Sequence, residues 1–222
     1  MLQKSTLNFL ASLKRNNNKA WFDQNREKYL SARDDFEVFV NELLQKMVLF
    51  DTDIKDLEAK KCVFRLNRDI RFSKDKTPYK TFFSASFKKN GKKSINAGYY
   101  FQLEPGGKSL AVGGLWNPEP TELKKVRQEI DYCFPEFKKI ISNPSFKKIY
   151  GELDRDKGQV LVNIPKGYEK ENPAGEFLKL KSFVASNYIA DEQLFLPSLS
   201  TQVAEAFKAL MPLIKFINRS FE

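Results

Sequence analysis

Apolar residues recur at helical spacing in the first and last thirds of the chain and at every second position in its middle. Leu7, Leu10 and Leu13 share one side of a short amphipathic helix over Thr6 to Leu13. Asn16-Asn17-Asn18 ends that helix and supplies an N-cap for the next. Phe22, Tyr29, Phe36, Leu43 and Met47, with Ala32 and Phe39 filling the same face, predict one long helix running to about Val48. After a polar connection over Asp51 to Lys61, Cys62, Phe64 and Leu66 alternate with Val63, Arg65 and Asn67, as in a strand with one buried face.

The clearest alternation follows. Phe83, Ala85 and Phe87 interleave with Phe82, Ser84 and Ser86, and Asn90-Gly91 signals a hairpin turn. Ala97, Tyr99, Phe101 and Leu103 return against Gly98, Tyr100 and Gln102, and a turn at Glu104 to Lys108 leads into a third strand over Ser109 to Gly113. Helical spacing resumes with Leu123, Val126, Ile130, Phe134, Phe137 and Ile141, divided near Pro135. Pro144 and Gly151 bracket a short helix, Val160 to Ile164 predicts a short strand, and Asn172-Pro173 opens a helix to about Leu180. Ser182 to Ile189 fits an edge strand, and a last helix carries Leu199, Val203, Phe207, Leu210, Ile214, Ile217 and Phe221, bent at Pro212. Helices that flank a contiguous β region predict an α+β class. The expected architecture is an antiparallel sheet, a meander over 81–113 plus the strand 62–67, between N-terminal and C-terminal helices in one domain spanning 1–222.

Composition narrows the chemistry. The chain has 222 residues and no histidine, which excludes Ser-His-Asp and Cys-His catalysis and histidine-based metal sites. Cys62 and Cys133, at unrelated positions, read as small buried hydrophobes, so no metal site and no cofactor is implied. No run has the length of a transmembrane helix, and the N-terminus lacks the apolar core of a signal peptide. The expectation is a soluble, cytoplasmic protein without a membrane partner. A net charge of +10 and a pI near 9.4 attract polyanions whether or not these are the ligand.

Three short motifs do not survive their context. Gly106-Gly107-Lys108-Ser109 ends like a phosphate-binding loop, but Gln102 stands where the first glycine belongs and the segment joins two strands. Asp51-Thr52-Asp53 resembles the nucleophile strand of haloacid-dehalogenase phosphatases but follows a helix with no α/β alternation after it. Ser73-x-x-Lys76 matches a serine acyltransferase motif that belongs on a helix, whereas Pro78 and the charge density predict a loop.

The stretch 65–81 remains. It holds six basic residues against two acids, four of the ten net positive charges. Arginine presents a planar fork suited to phosphate or carboxylate, and lysine adds point charge. The candidate contacts to a small phosphorylated or carboxylate ligand are Arg65, Arg68, Asp69, Arg71, Ser73, Lys74, Asp75, Lys76, Tyr79 and Lys80, with Arg26 beside them. Trp21, Tyr79, Tyr99 and Trp116 are the candidate aromatic walls. Ile70, Phe72 and Tyr79 are expected to pin the loop to the core. Two other readings stand next to this one. Asp69 and Asp75 can pair with the arginines and close a scaffolding network with no ligand, leaving an interaction module. The basic and aromatic interleaving also suits nucleic acid, although the interspersed acids repel phosphates and no helix-turn-helix, zinc finger or RNP signature is present.

The run Arg65-x-x-Arg68-Asp69-Ile70-Arg71-Phe72-Ser73-Lys74-Asp75-Lys76-Thr77-Pro78-Tyr79-Lys80-Thr81 also resembles the signature of a widespread conserved family, a domain of unknown function. The likeness extends through Asn17 to Tyr29, Ala97 to Phe101, Glu104 to Gly107, Gly114-Leu115-Trp116-x-Pro118, Pro165 to Tyr168 and Leu180 to Phe183. It implies one family identity over most of the chain and no established activity or catalytic residue. It also implies that these segments converge in space.

Overall fold

The computed structural model describes residues 1–222. The chain opens with α1 (Lys4–Arg15), α2 (Lys19–Gln24) and α3 (Arg26–Met47). Asn18 caps α2 by accepting from the Trp21 N–H at 3.0 Å. The single helix expected from Phe22 to Val48 is interrupted at Asn25, whose backbone leaves the helical region. The Asn25 side chain donates to the Trp21 carbonyl at 2.9 Å, the local bonding by which asparagine competes with a helix.

Four antiparallel strands follow in the order β1 (Phe83–Lys88), β2 (Gly98–Leu103), β3 (Ser109–Leu115) and β4 (Phe183–Ile189). The meander is present, and the fourth strand is the 182–189 segment rather than 62–67. Cys62 instead closes a helical turn, α4 (Ala59–Cys62), and the chain beyond it meets its neighbours by single bridges, Val63 to Ala85 and Asn67 to Tyr79. Pro78 explains the failure of that ladder: it accepts from the Arg68 N–H at 2.9 Å but has no N–H to return. The expected strand at 160–164 is likewise reduced to one bridge, Val160 to Leu180. Helices α5 (Pro120–Tyr132) and α6 (Phe134–Ile141) divide at Cys133, beside Pro135. They precede α7 (Pro144–Tyr150), the short α8 (Gly175–Leu178) and the long α9 (Leu199–Arg219), which contains Pro212. No helix is long and apolar enough to cross a membrane.

One face of the sheet packs on α3 and α9. Phe36 stacks on Phe83 at 5.4 Å between centroids, Phe39 meets Phe101 at 5.0 Å, and Tyr99 meets Phe207 at 5.2 Å. Each aromatic buried here is worth about 2–3 kcal/mol in area removed from water, and the apolar core is continuous from Leu2 to Ile217. Helix α9 rests directly on β3, because a Cβ on Gly113 would lie 2.6 Å from the Leu210 methyl.

No helix covers the opposite face. Strand register arranges its outward residues in three rows across the sheet: Ser84-Gln102-Leu110-Tyr188, Ser86-Tyr100-Val112-Ser186, and Lys88-Gly98-Gly114-Val184. The segment after α7 runs beside β4, where the Asp154 N–H donates to the Val184 carbonyl at 2.8 Å. Phe64 does the equivalent beside β1, donating to the Ser84 carbonyl at 2.9 Å. These two margins turn the open face into a groove.

Candidate functional site

The groove encloses about 770 Å³. Its floor is the three rows of outward residues. Phe64 and Lys92 stand on the β1 side, Tyr150 to Asp156 on the β4 side, and Trp116 just past the end of β3. The third row carries no side chain at its centre, where Gly98 and Gly114 pair with their neighbours. Gly98 allows the close approach of β1, since a Cβ there would lie 2.5 Å from the Phe87 carbonyl oxygen. Gly114 has φ +125°, and a Cβ would lie 1.9 Å from the Phe183 carbonyl oxygen, so only glycine holds β3 against β4 at this point.

The β1 margin is cationic and unpaired. The Lys92 ammonium donates to the Val63 carbonyl at 2.7 Å and lies 5.2 Å from the centre of the Phe64 ring. The Lys80 ammonium stands 5.3 Å from that ring, and Lys88 extends from the end of β1 into the groove. None of the three lies within ion-pair distance of a carboxylate. Burial holds Lys88 below the ordinary lysine range. Burial, with the Arg65 and Lys92 charges, does the same to Lys80.

The β4 margin is acidic. Asp154 accepts from the Ser186 hydroxyl at 2.6 Å and from its N–H at 3.2 Å. Burial pushes the Asp154 carboxyl up, the Ser186 bonds pull it part of the way back, and Asp156 pushes in the same direction as burial. Glu152 and Asp156 line the same wall, as does Arg155, whose guanidinium lies 3.8 Å from Glu176. The Tyr150 hydroxyl is buried there without a hydrogen-bond partner, and desolvation raises its pKa. In the middle row, Tyr100 donates to Gln102 at 2.7 Å, and Gln102 donates to Glu104 at 2.8 Å.

The 65–81 stretch is a finger beside the groove. Its base is tied down by Leu66 and Tyr79: Tyr79 stacks on Phe22 at 4.1 Å, and Asn17 bonds both its carbonyl, at 2.9 Å, and its N–H, at 3.1 Å. At the tip, Arg68 donates to Asp75 at 2.6 Å, to the Thr77 carbonyl at 3.1 Å and to the Thr77 hydroxyl. Arg71 grips Asp69 through two bonds of 2.9 and 2.7 Å, and Lys76 donates to the Ile70 carbonyl at 3.0 Å. The Thr77 N–H, then Arg68 and the Thr77 hydroxyl, hold Asp75 down to about 2, and Arg71 lowers Asp69. Arg65 and Lys74 face solvent, Ser73 is half-buried, and Phe72, expected to anchor the loop, is 96% exposed.

A model of the family described as Conserved hypothetical protein (DUF2461) matches residues 5–216. The chain belongs to that family. No curated protein and no solved structure matches it. Several of the motif segments of this family member gather in two places. Asn17 to Tyr29 joins the 65–81 finger through Asn17 and Phe22. The segments around Tyr99 and Trp116 border the groove, with the Asn117 N–H donating to Ser182 at 2.9 Å. Gly106 and Gly107 form the β2–β3 turn and direct their N–H groups at Asp191, at 2.8 and 3.0 Å. Asp51, at the end of α3, is a buried anchor that accepts from the Tyr99 hydroxyl at 2.7 Å and from Lys215 at 2.8 Å.

Of the residues singled out from the sequence, Trp116 borders the groove and Lys80 reaches Phe64 on its margin. Tyr99, expected as an aromatic wall, turns its ring to the opposite face, buried against Phe207 with its hydroxyl on Asp51, because strand alternation sends its neighbours Gly98 and Tyr100 to the groove instead. Trp21 packs on Phe9 at 6.1 Å and Arg26 is exposed, both apart from the groove. Sequence reasoning missed Lys88, Lys92, Tyr100, Asp154 and Ser186. The available signal was the polar half of the β1 alternation, Ser84-Ser86-Lys88. The opposite wall comes from 150–156 and β4, too far along the chain for periodicity to connect. No group of three or more thiols and carboxylates is placed to hold a metal ion.

Proposed function

We propose that this family member is a cytoplasmic protein, folded as one domain, that binds a small anionic or phosphorylated ligand on the open face of its sheet. The observation that carries this reading is the cationic margin: Lys88 and Lys92 line the groove, Lys80 joins Lys92 over Phe64 at its edge, and all three are half-buried without a carboxylate partner. Desolvating ammonium groups costs free energy that the Val63 carbonyl and the Phe64 ring return only in part, and an anion at the groove would return more of it. Phe64, Tyr100 and Trp116 supply apolar walls, as small-molecule sites require. The tip of the 65–81 finger is then structural, because Arg68 and Arg71 already pair with Asp75 and Asp69, while Lys80 at its base stands over Phe64 at the edge of the groove.

Calorimetry with phosphate, pyrophosphate, nucleotides and dicarboxylates tests the assignment. The Lys88→Ala/Lys92→Ala variant is expected to lose about tenfold or more in affinity, the weight of a charge-assisted contact, and Arg68→Ala to retain it. Undiminished binding in the double variant, or loss in Arg68→Ala alone, overturns the groove as the site.

Single-stranded nucleic acid is the second reading, favoured by aromatic side chains on an antiparallel sheet face. Glu152, Asp154 and Asp156 oppose it, since they would meet the phosphate backbone of a longer strand. A steep loss of oligonucleotide affinity with rising salt would support this reading over the first.

A further inference from the structure

The two margins of the groove differ in charge, and the difference constrains what can lie between them. Lys88, Gly98, Gly114 and Val184 form one row, and Asp154 bonds the backbone of Val184. Three inter-strand spacings separate the ends of that row, on the order of 14 Å. A ligand crossing it starts at lysines and finishes at carboxylates. Arg155 on that wall already faces Glu176 at 3.8 Å, so an anion at both ends would meet the carboxylates of Asp154, Glu152 and Asp156, and these favour a far end that donates hydrogen bonds. Each Asp154 oxygen accepts one bond from Ser186 and keeps a lone pair for a further donor. The unpartnered Tyr150 hydroxyl stands on the same wall.

The middle of the row selects shape. Gly98 and Gly114 carry no side chain, and the Lys88 stem lies against Gly98, so the floor is low between the two walls at Gly114. Tyr100 rises beside them in the next row, and Trp116, 60% exposed, stands at the end. A flat ring can lie on this floor against aromatic faces, an arrangement that suits stacking.

Building on the anion site above, we propose that the ligand is a mononucleotide. Its phosphate lies at Lys88 and Lys92, its base lies over Gly114 against Trp116, and the N–H groups of the base donate to Asp154.

Calorimetry on the full chain compares nucleoside 5′-monophosphates, ribose 5-phosphate, inorganic phosphate and the free nucleosides. The nucleotides are expected to bind about tenfold or more tightly than ribose 5-phosphate, the contribution of one stacked base or one charge-assisted contact. Asp154→Asn should reduce nucleotide affinity about tenfold and leave inorganic phosphate unchanged, because only the base reaches that wall. Asp154 also anchors Ser186, so Trp116→Ala, at an exposed position, provides an independent arm that should erase the preference for nucleotide over ribose 5-phosphate. Equal affinity for nucleotides and ribose 5-phosphate, or nucleotide binding untouched by both variants, overturns the mononucleotide and leaves the anion site standing. No binding of any phosphorylated probe overturns the mononucleotide, and no binding of dicarboxylates as well overturns the anion site with it.

Discussion

The finger at 65–81 and the groove beside it contain the same kinds of side chain and treat them in opposite ways. In the finger, arginines and aspartates alternate within a few residues, and each arginine at the tip closes on an acid of the same loop. In the groove, Lys88 and Lys92 lie on one side, with Lys80 beside them over Phe64, and Asp154 on the other, with the width of the sheet between them. Short loops bring opposite charges together locally, so a dense charge run satisfies itself at little cost. A sheet keeps apart whatever its strands carry, so its charges stay unpaired and partly desolvated. Charge density along a sequence is therefore a weaker guide to a ligand site than unpaired charge beside a concavity.

The largest effect that separates the two regions should come from Gly114→Ala. The added Cβ meets the Phe183 carbonyl oxygen in a backbone conformation that alanine resists. About 3 kcal/mol or more should be lost, read as a lower denaturant midpoint, with the groove disrupted along with the β3–β4 pairing. Arg68→Ala should cost about 1 kcal/mol, since it removes bonds to Asp75 and Thr77 at a partly exposed site, and should not change ligand affinity. A global collapse together with lost binding would mean that the finger and the groove are one unit.

Lys88→Met should have the reverse sign and a smaller size, a gain of up to about 1 kcal/mol in thermal or denaturant unfolding, because it removes a desolvated charge without a partner. Linkage gives a second readout. The folded pKa of Lys88 lies below its unfolded value, so between the two the unfolded chain binds more protons and stability rises with pH. That contribution is complete only above about 10.5, the unfolded lysine value, and the Met variant should lack it. Identical alkaline stability curves for both proteins would refute the claim that Lys88 is unpaired and desolvated.

The smallest effect belongs to the finger in acid. The pKa of Asp75 is depressed to about 2, so its contribution is present above the unfolded carboxylate value and fades as pH falls from about 4 towards 2. Faster amide exchange at Thr77 over that window, without global unfolding, is the expected result. Constant protection of Thr77 down to pH 2 would show that Asp75 does not hold the loop.

Periodicity gave the helix-rich ends, the meander and the edge strand at 182–189, because burial of one face repeats within each element. The break at Asn25 and the loss of the 62–67 strand were less legible. Each turns on a single local partner, the Trp21 carbonyl in one case and the missing N–H of Pro78 in the other.

By itself, the sequence determined the α+β class, the family signature and the absence of histidine chemistry, all properties of residue identity and short-range order. Only the tertiary structure decided which charges were already paired and which faced a cavity. Lys88 and Asp154 share a groove because β3 pairs with a strand from the far side of α5 to α8, and that pairing follows from the packing of the folded chain, beyond the reach of local pattern.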